Sequence, residues 1–587
     1  MKYNLISERN ENYSPMQQIL TNRGILAKDI EHYVKTTDKD ILPNDLLDNI
    51  REGVICVLKH IQNKDRMLVQ VDSDCDGHTS SACFINYLYK QFPNYVSEFL
   101  DIRIHHGKEH GVIVDTVLNK GYSIVIVADA GSNQYEEHKA LKDAGIDVVV
   151  IDHHDAEKVS EDAIVINNQL SESYPNKSLS GVGMVYKFCS VMDEMLKTKD
   201  ADSLLDLVAL GMIADMMDMR NFGTRHLITK GLSNIQNPFF KGLVERQAYS
   251  LGETVTPIGV AFYIAPLVNA TIRVGTAAEK EIMFTAMLNH MAYDQIPSTK
   301  RGHKGEMESR IEQAIRNGTN IRNRQKKARD EGIASVEQTI LSEKLYDNKV
   351  MLIESTSALD KNLTGLVANQ LMAKYQKPVL ILRRVIDADE TTGEVISETL
   401  QGSGRGYDKS ELSDLRGFLL ESEFFNYAEG HANAFGAGIS TEKVKAFTDY
   451  ANEKLANFDF SACYNVDFIY MSNDFKQQDI IDIGSMKSLW GKGIDEAFIV
   501  VKGVKVTRNN ITLMSADRNP TIKITLPNGV SIIKFGSSRE EYESFLTDGY
   551  IELDILGTCA INEWQGNISG QILLKEYEIQ QQQAYYF

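Results

Sequence analysis

Short β-branched runs alternate with helix-like stretches in the part of the chain that follows residue 60. The runs occupy residues 66–72, 123–129, 146–152 and 163–167. The stretches between them, among them 80–92 and 134–145, have the residue pattern of helices. Strands that alternate with helices predict an α/β fold with a parallel sheet covered on both faces.

The pattern changes further along the chain. A basic stretch predicts one long helix from about Gly305 to Arg329, with Asn317-Gly318 as a candidate break. Strand-like segments with turns, beginning near Ser461, indicate a small β-barrel or sandwich. The expected units are a helical lead-in (1–60), a parallel-sheet domain (61–285), a basic connecting helix (286–335), a smaller α/β domain (336–458) and a C-terminal β domain (459–587).

Composition sets the broad class of the protein. The chain has 587 residues, 43% of them apolar, which is enough for several packed domains. Its start lacks the apolar centre of a signal peptide, and no run of about 18 consecutive apolar residues predicts a membrane span. Six scattered cysteines without a CxxC pair fit a reducing compartment. We expect a cytoplasmic monomer with no membrane partner.

The charge is unevenly distributed. The formal net charge of −19 argues against a nucleic-acid partner, because phosphate binding usually shows as a basic surface. From Lys300 to Arg329, however, ten Lys or Arg stand against three Glu, a net of +7. Such a run forms either a solvated helix face paired with its own glutamates or a phosphate-binding surface. The residues that favour phosphate contact, because no acid interrupts them, are Arg322, Arg324, Lys326, Lys327 and Arg329.

Acidic and imidazole side chains gather where the predicted strands end. They are Asp72, Asp74 and Asp76 after the first strand, Asp129 after the second, and Asp152, His153 and His154 after the third. The carboxyl ends of parallel strands meet at one edge of a sheet, so these carboxylates would repel one another without a cation. Carboxylates with imidazoles suit Mn²⁺, with Mg²⁺ as the alternative.

Two ions at such a site can activate a water and stabilise the leaving oxygen of a phosphoester. Each motif also has a simpler interpretation. An Asp-x-Asp after a strand is commonly a turn or a helix N-cap, and Asp-His-His can be a capped turn. The presence of both motifs, with Asp129 between them, favours a two-metal phosphoesterase site.

These residues resemble the DHH phosphoesterase superfamily, which is named for the triplet found here at 152–154. The other matching segments are Asp74-Cys75-Asp76-Gly77, Asp129-Ala130-Gly131, the stretch ending at Asp215, residues 362–382, 402–405 and 429–438, and residues 561–579. Within the superfamily, the likeness is to RecJ-type single-strand-specific DNA exonucleases, and it covers nearly the whole chain.

The resemblance implies a fold and a site. The fold is a parallel-sheet DHH domain, joined by a long helix to a smaller α/β DHHA1 domain and followed by an OB-like barrel. One ion would be held by Asp74 and Asp129, and the second by Asp76, Asp129, His153 and Asp215. His154 would contact the scissile phosphate, and Asp152 would orient the imidazoles.

Two positions depart from the family pattern. Many relatives have a histidine where this chain has Gln70, so Asp72 is a candidate substitute ligand. Relatives also carry a phosphate-binding arginine at the place that Gly107 occupies here, which leaves Lys108 as the candidate cation.

The DHHA1-like domain carries the remaining nucleic-acid candidates. Ser403 and Arg405 either bind a terminal phosphate or form a glycine-rich turn with an exposed arginine. His431 either touches the strand or lies among glycines that permit close packing.

The resemblance implies a metal-dependent, 5′→3′ single-stranded DNA exonuclease that releases mononucleotides in repair, recombination or replication. A single-strand-binding protein or a helicase is a candidate partner. One alternative is a DHH phosphodiesterase for short oligonucleotides or cyclic dinucleotides, against which residues 461–587 argue, since such relatives usually end after the second domain. The other is an inactive nucleic-acid-binding scaffold, against which the intact motifs argue.

Overall fold

A computed structural model describes residues 1–107, 109–355, 359–388, 395–547 and 549–583. The strands are β1 (Lys2–Leu5), β2 (Met67–Val71), β3 (Leu100–Ile104), β4 (Ile124–Ala128), β5 (Asp147–Asp152), β6 (Ile164–Asn167), β7 (Gln295–Pro297), β8 (Met307–Ser309), β9 (Met351–Glu354), β10 (Val379–Ala388), β11 (Val395–Arg405), β12 (Phe425–His431), β13 (Ala434–Ser440), β14 (Cys463–Val466), β15 (Phe468–Met471), β16 (Phe498–Val506), β17 (Ile511–Met514), β18 (Thr521–Thr525), β19 (Ser531–Lys534), β20 (Tyr550–Trp564) and β21 (Asn567–Gln583). The helices are α1 (Pro15–Asn22), α2 (Ile30–Val34), α3 (Ile50–Asn63), α4 (Cys75–Gln91), α5 (Pro93–Phe99), α6 (Tyr135–Asp143), α7 (Gly181–Leu196), α8 (Leu205–Ala214), α9 (Phe222–Ser233), α10 (Pro238–Arg246), α11 (Ala248–Leu251), α12 (Pro257–Gly259), α13 (Ala265–Val274), α14 (Ala277–Met287), α15 (Arg310–Ser342), α16 (Thr364–Tyr375), α17 (Leu415–Glu421), α18 (Val444–Lys454), α19 (Gln477–Gly484) and α20 (Arg539–Ser544).

The first domain is built on the predicted parallel sheet. Its five strands lie in the order β3-β2-β4-β5-β6, and all neighbours are parallel. β2 and β4 are buried along their whole length, as expected for apolar strands covered on both faces. Helices α3, α4 and α7 pack on one face and α6 on the other. The ends of β2, β4 and β5 therefore meet at one edge.

The connecting helix begins later than predicted. Residues before it form the β7–β8 hairpin, and the helix starts at Arg310 rather than near Gly305. Ser309 and Glu312 form a capping box, in which the Ser309 hydroxyl accepts from the Glu312 N–H. This exchange satisfies backbone donors that a helix start otherwise leaves unpaired, and it fixes the first turn.

The same helix also ends later than predicted. It runs for 33 residues, about 50 Å, and continues past Arg329 because Ile340 is buried in the core of the second domain. Asn317 and Gly318 do not interrupt it. Both are buried in the part of α15 that packs against the first domain, so tertiary packing outweighs the low helix propensity of this pair.

Two further sheets complete the fold. The second domain has a five-stranded sheet in the order β12-β13-β11-β10-β9, in which only β9 and β10 run parallel. The C-terminal domain has a seven-stranded mixed sheet in the order β15-β16-β20-β21-β19-β18-β17, which is consistent with an OB-like region. The α/β architecture with a long connecting helix is thus as predicted.

The helical lead-in divides between two domains. β1 pairs with β14, and Ile19 and Tyr33 belong to the core of the C-terminal domain. α3, by contrast, packs on the first sheet. A buried ion pair fixes the first part, because both terminal guanidinium nitrogens of Arg23 lie 2.9 Å from the carboxylate oxygens of Asp467.

One helical run has the length and composition of a membrane span. Pro257–Val274 has a mean hydropathy of 1.4, and 56% of it is buried inside the fold. Core helices of globular proteins pass the same test, and Ile264 and Val268 of this run lie in the core of the first domain.

Candidate active site

The first strand-end motif starts a helix. Asp74 is the N-cap of α4, and one of its oxygens accepts a hydrogen bond of 2.8 Å from the Gly77 N–H. Gly77 lets the helix begin tightly against the strand, because a Cβ there would lie 2.7 Å from the Cβ of Asp72. The N-cap interpretation is therefore right for Asp74. It is compatible with a metal role, because capping occupies only one carboxylate oxygen.

Asp129 stands at the centre of the site in a strained conformation. Its φ of +73° is one that non-glycine residues rarely adopt. Its N–H donates to the Ile151 carbonyl over 2.8 Å, which fixes it between β4 and β5. The first turn of α7 packs directly on it, since a Cβ at Gly181 would lie 2.5 Å from its carboxylate. Gly211 of α8 makes a similar close approach to Asp76.

The predicted metal ligands form two neighbouring groups, which are in contact through Asp129 and His153. In the first, the ligand atoms lie within 4.8 Å of one another and belong to Asp72, Asp74 and Asp129. In the second, they lie equally close and belong to Asp76, His153 and Asp215. His153 Nε2 links the groups, 3.1 Å from an Asp129 oxygen and 3.4 Å from an Asp215 oxygen. The structure thus brings together every residue predicted as a metal ligand.

Asp218 lies three residues after Asp215 and is a second carboxylate close to the end of α8. The structure separates them, because only Asp215 faces His153. Asp218 instead pairs with Arg220, whose Nε lies 2.9 Å from its carboxylate.

Buried atoms at the centre of the site fit a divalent metal. Among the described residues, Oδ2 of Asp76, Oδ1 of Asp129 and Nε2 of His153 are buried and make no hydrogen bond, since the 3.1 Å contact between Nε2 and the Asp129 oxygen lacks hydrogen-bond geometry. Leaving one such atom unpaired costs about 1–3 kcal/mol, so three that face one another indicate ligation. Carboxylate oxygens with one imidazole are donors suited to Mn²⁺ or Mg²⁺.

The carboxyl groups of the site show the same need for a cation. Burial, and then the charges of Asp76 and Asp74, raise the pKa of Asp129 well above its usual range. The same causes raise the pKa of Asp215 to about 8. Burial likewise raises the pKa of Asp76, although His153 opposes the shift. A bound cation would relieve this repulsion.

Asp152 holds the two histidines of the triplet. One of its oxygens accepts from the His153 N–H over 2.7 Å and lies 2.8 Å from His154 Nδ1, while the other accepts from the Ser132 N–H. The contact with Asp152 raises the pKa of His154 to about 9, so this imidazole is cationic at neutral pH. His154 is half-exposed beside the ligands, where it can face a phosphate. The structure thus places both residues beside the candidate ligands, and the roles that the resemblance implies for them stay predictions.

Asp72 is held by histidines that the sequence analysis did not select. Its oxygens lie 3.1 Å from His105 Nδ1 and 2.9 Å from His110 Nδ1. Gln70 points away, bonded to the backbone of Ile113. The cluster of histidines at 105–110 was the available signal, because imidazoles following the end of β3 fall at the same sheet edge as the aspartates.

A cationic cavity of about 330 Å³ lies between the first and second domains. Ser403 and Arg405 line it, together with Arg273 and Lys280 of the first domain and Lys361. None of the described residues that line it is acidic. Burial, and then the neighbouring charge of Arg273, lower the pKa of Arg405, which shows that these cations are crowded. The pattern of the sequence did not predict Arg273, Lys280 and Lys361 as part of the site, because they join it only through domain packing.

The N-terminus of α16 completes the cavity. Thr364 and Gly365 line it, and the Thr364 hydroxyl lies 2.9 Å from that of Ser403. A Cβ at Gly365 would lie 2.5 Å from the Arg405 guanidinium, so glycine lets this arginine lie across the helix start. A helix N-terminus with two hydroxyls and several cations is a site for a phosphate. The glycine-rich-turn interpretation is wrong for this segment, since Ser403 and Arg405 belong to strand β11.

The other predicted nucleic-acid residues lie elsewhere or carry ion pairs. His431 is exposed at the end of strand β12 and does not line the cavity, and Lys108 lies outside the described residues.

Acidic side chains lie near three of the predicted phosphate-binding cations of α15. Arg324 lies 3.0 Å from Glu279, and Lys327 lies 3.8 Å from Glu331. Arg329 pairs with Asp330. Arg322 contacts Gln325, and Lys326 is exposed. This helix face is therefore partly neutralised.

Comparisons with known proteins agree with the motifs. A family model described as DHH family, N-terminal domain, matches residues 66–212. A Bacillus subtilis protein named as an SPbeta prophage-derived single-strand DNA-specific exonuclease, YorK, is 37% identical over 583 residues, which are 99% of this chain and 98% of that protein. The single-stranded-DNA-specific exonuclease RecJ of the same species is 25% identical, over 97% of this chain and 68% of that protein.

The fold also matches a solved structure. RecJ from Thermus thermophilus, in complex with Mn²⁺, has a TM-score of 0.70 and 16% sequence identity, and the match covers 99% of this chain and 80% of that one. The resemblance stated from the motifs is thus confirmed, and the chain belongs to the RecJ family of DHH phosphoesterases.

Proposed function

We propose that the protein is a metal-dependent exonuclease that degrades single-stranded DNA from its 5′ end. The observation that carries the proposal is the position of Ser73, which stands between Asp72 and Asp74 and also lines the cationic cavity. The candidate metal centre and the candidate phosphate site are therefore neighbours. Relatives named as single-strand-specific exonucleases support the substrate class.

The proposed polarity rests on the family resemblance, and the cavity supplies a site for the terminal phosphate that it requires. A pocket closed by a helix N-terminus and cations fits a terminal phosphate better than a continuous backbone, because several donors converge on one group. A strand whose 5′ phosphate lies beside Arg405 and Arg273 would place its first phosphodiester towards Asp74. Each cleavage then removes the terminal nucleotide, and the shortened strand refills the pocket.

The chain's own residues supply the rest of the chemistry. Divalent ions, when bound by the aspartates and His153, would activate water and act as Lewis acids. The His154 imidazolium would donate to a phosphate oxygen and stabilise charge that develops there. Asp152 fixes the orientation of this ring. The Thermus relative was solved with Mn²⁺ and also with Mg²⁺, so both ions are candidates for this site.

A surface beside the metal centre suits unpaired bases. Met216 and Phe262 are 61% and 69% exposed, and they line an apolar cavity of about 290 Å³ next to Asp215. Phe262 belongs to a π-helical turn, a feature frequent at functional sites. Bases can stack on such a surface only when they are not paired, which supports a preference for single strands.

Arg405→Gln tests the phosphate cavity. We expect the wild-type protein to degrade 5′-phosphorylated strands faster than 5′-hydroxyl strands. A hydrogen bond to a charged group contributes about 1.5–3 kcal/mol, so the variant should lose roughly 10- to 100-fold of this preference. Lys374→Gln is the matched control, since it removes an exposed cation from the far end of α16.

Two results would contradict the proposal. Equal rates on both kinds of strand in the wild-type protein would show that no terminal phosphate is bound. Loss of a 3′ label before a 5′ label would reverse the polarity while leaving the metal site intact.

A further inference from the structure

A separate cluster of metal-binding side chains lies at the N-terminal ends of the strands of the first sheet, away from the candidate active site. Cys56 and His60 lie four residues apart on α3 and so share one helix face. Asp147 is the first residue of β5, whereas Asp152, near the candidate active site, is the last. The length of this strand places the cluster about 16 Å from that site.

Three different donor types converge there. The Cys56 sulfur, a ring nitrogen of His60 and a carboxylate oxygen of Asp147 lie within 4.8 Å of one another. His60 Nε2 is 2.9 Å from Asp147 Oδ2, and the sulfur is 3.8 Å from the same oxygen. Sulfur, nitrogen and oxygen donors in one small cluster are typical of a zinc site.

The contact between His60 and Asp65 is the second observation that favours a metal site. His60 is 8% exposed, and its Nδ1 lies 2.8 Å from Asp65 Oδ2, so this imidazole is held between two carboxylates. A neutral imidazole that donates its Nδ1 proton to Asp65 has Nε2 available to bind a metal ion beside Asp147. A carboxylate behind the histidine is also the usual arrangement at zinc centres.

A cavity adjoins the cluster at Asp147, whereas Cys56 and His60 are not among the residues that line it. It has a volume of about 360 Å³, and Asp147 lines it together with Glu52, Glu161 and Asp162. Lys142, which also lines it, pairs with Asp162 at 3.2 Å. The lining is therefore net acidic, which favours the entry of a cation.

We propose that Cys56, His60 and Asp147 bind a single Zn²⁺ ion that joins α3 to the start of β5. The thiolate ligand selects zinc over manganese, the reverse of the selectivity expected of the carboxylate-rich site around Asp129. Three protein ligands leave the fourth tetrahedral position to a water, and in this proposal the ion stabilises the fold by linking two of its elements away from the candidate active site. The inference does not depend on the nuclease activity.

Cobalt substitution of the full-length protein tests the proposal, because a thiolate bound to Co²⁺ gives a charge-transfer band that carboxylate and imidazole ligands do not give. We expect the wild-type protein to show this band with one Co²⁺ and to lose it when Zn²⁺ is added. Cys56→Ser should abolish the band, whereas the matched control Cys463→Ser, also half-buried, should keep it. Asp129→Ala should keep it too, because that change affects only the other site.

A second variant addresses the role of Asp65. Asp65→Asn keeps all three proposed ligands but weakens the support of His60, so Zn²⁺ affinity should fall about 10- to 100-fold. Circular dichroism and retained Mn²⁺ binding would show that the variants are folded. A band that persists in Cys56→Ser, or is absent from the wild-type protein, would overturn the proposal.

Discussion

Gly181→Ala displaces the central candidate ligand without touching any charge. An alanine Cβ at this position would lie 2.5 Å from both Cβ and Oδ1 of Asp129 and 2.8 Å from its Cα. An ordinary contact needs 3.4 Å, so the two elements must separate by about 0.9 Å. Asp129 cannot simply rotate away, because its backbone is bonded to Ile151 and the contact includes its Cα.

The consequence should appear in activity and in metal binding together. A misplacement of about 1 Å in a catalytic constellation costs roughly 100-fold in rate, and we expect a loss of that order. Gly183→Ala is the matched control on the same helix, since its Cβ would meet Leu179 at 3.2 Å and needs only a small adjustment.

The assay compares both variants on labelled single strands, with Mn²⁺ affinity measured by titration calorimetry. The reasoning would be refuted if Gly181→Ala matched Gly183→Ala in both measurements, because Asp129 would then not require its present position.

Two further predictions concern stability and pH. Arg23→Ala should lower the free energy of unfolding by about 3–5 kcal/mol, because it leaves the fully buried Asp467 carboxylate without a cation and with the Asn22 amide as a remaining donor. Arg51→Ala, which removes an exposed ion pair, should cost about 0–1 kcal/mol, and equal costs in urea unfolding would contradict this prediction. Metal binding requires the carboxylate forms of Asp215, whose pKa is raised to about 8, and of Asp129, whose pKa is also raised, so Mn²⁺ affinity should rise with pH through the neutral range. At pH 7, calorimetry in two buffers of different ionisation enthalpy should reveal proton release, and identical heats would argue against it.

The parallel sheet and the candidate site at its strand ends could be predicted from the sequence, because both depend on local patterns. Apolar runs that end in aspartate predict buried parallel strands, and parallel strands bring their ends together. Asp129 could thus be placed beside His153 without coordinates. The strained φ of Asp129 and its contact with Gly181 could not, because they depend on how α7 packs.

Features that depend on packing between domains could not be predicted from the sequence. Arg273 and Lys280 meet Arg405 only because α15 sets the second domain against the first. The bounds of α15 were wrong for a related reason, since its capping box and its buried end at Ile340 override the charge pattern. The position of Tyr33 in the C-terminal core also requires a contact across most of the chain.

We propose that the aspartate and histidine cluster around Asp129 hydrolyses single-stranded DNA with the help of divalent metal ions. The most direct test is purified protein with Mn²⁺ on long single strands, matched duplexes and di- to tetranucleotides, using Asp215→Asn against Asp218→Asn. We predict mononucleotide release from single strands that is lost in Asp215→Asn and retained in Asp218→Asn, whose side chain pairs with Arg220 instead. If the protein cleaves the short oligonucleotides and leaves long strands intact, its substrate is a short oligonucleotide and not long single-stranded DNA. DNA binding without any cleavage, or equal activity of the two variants, would show that this cluster is not the hydrolytic site.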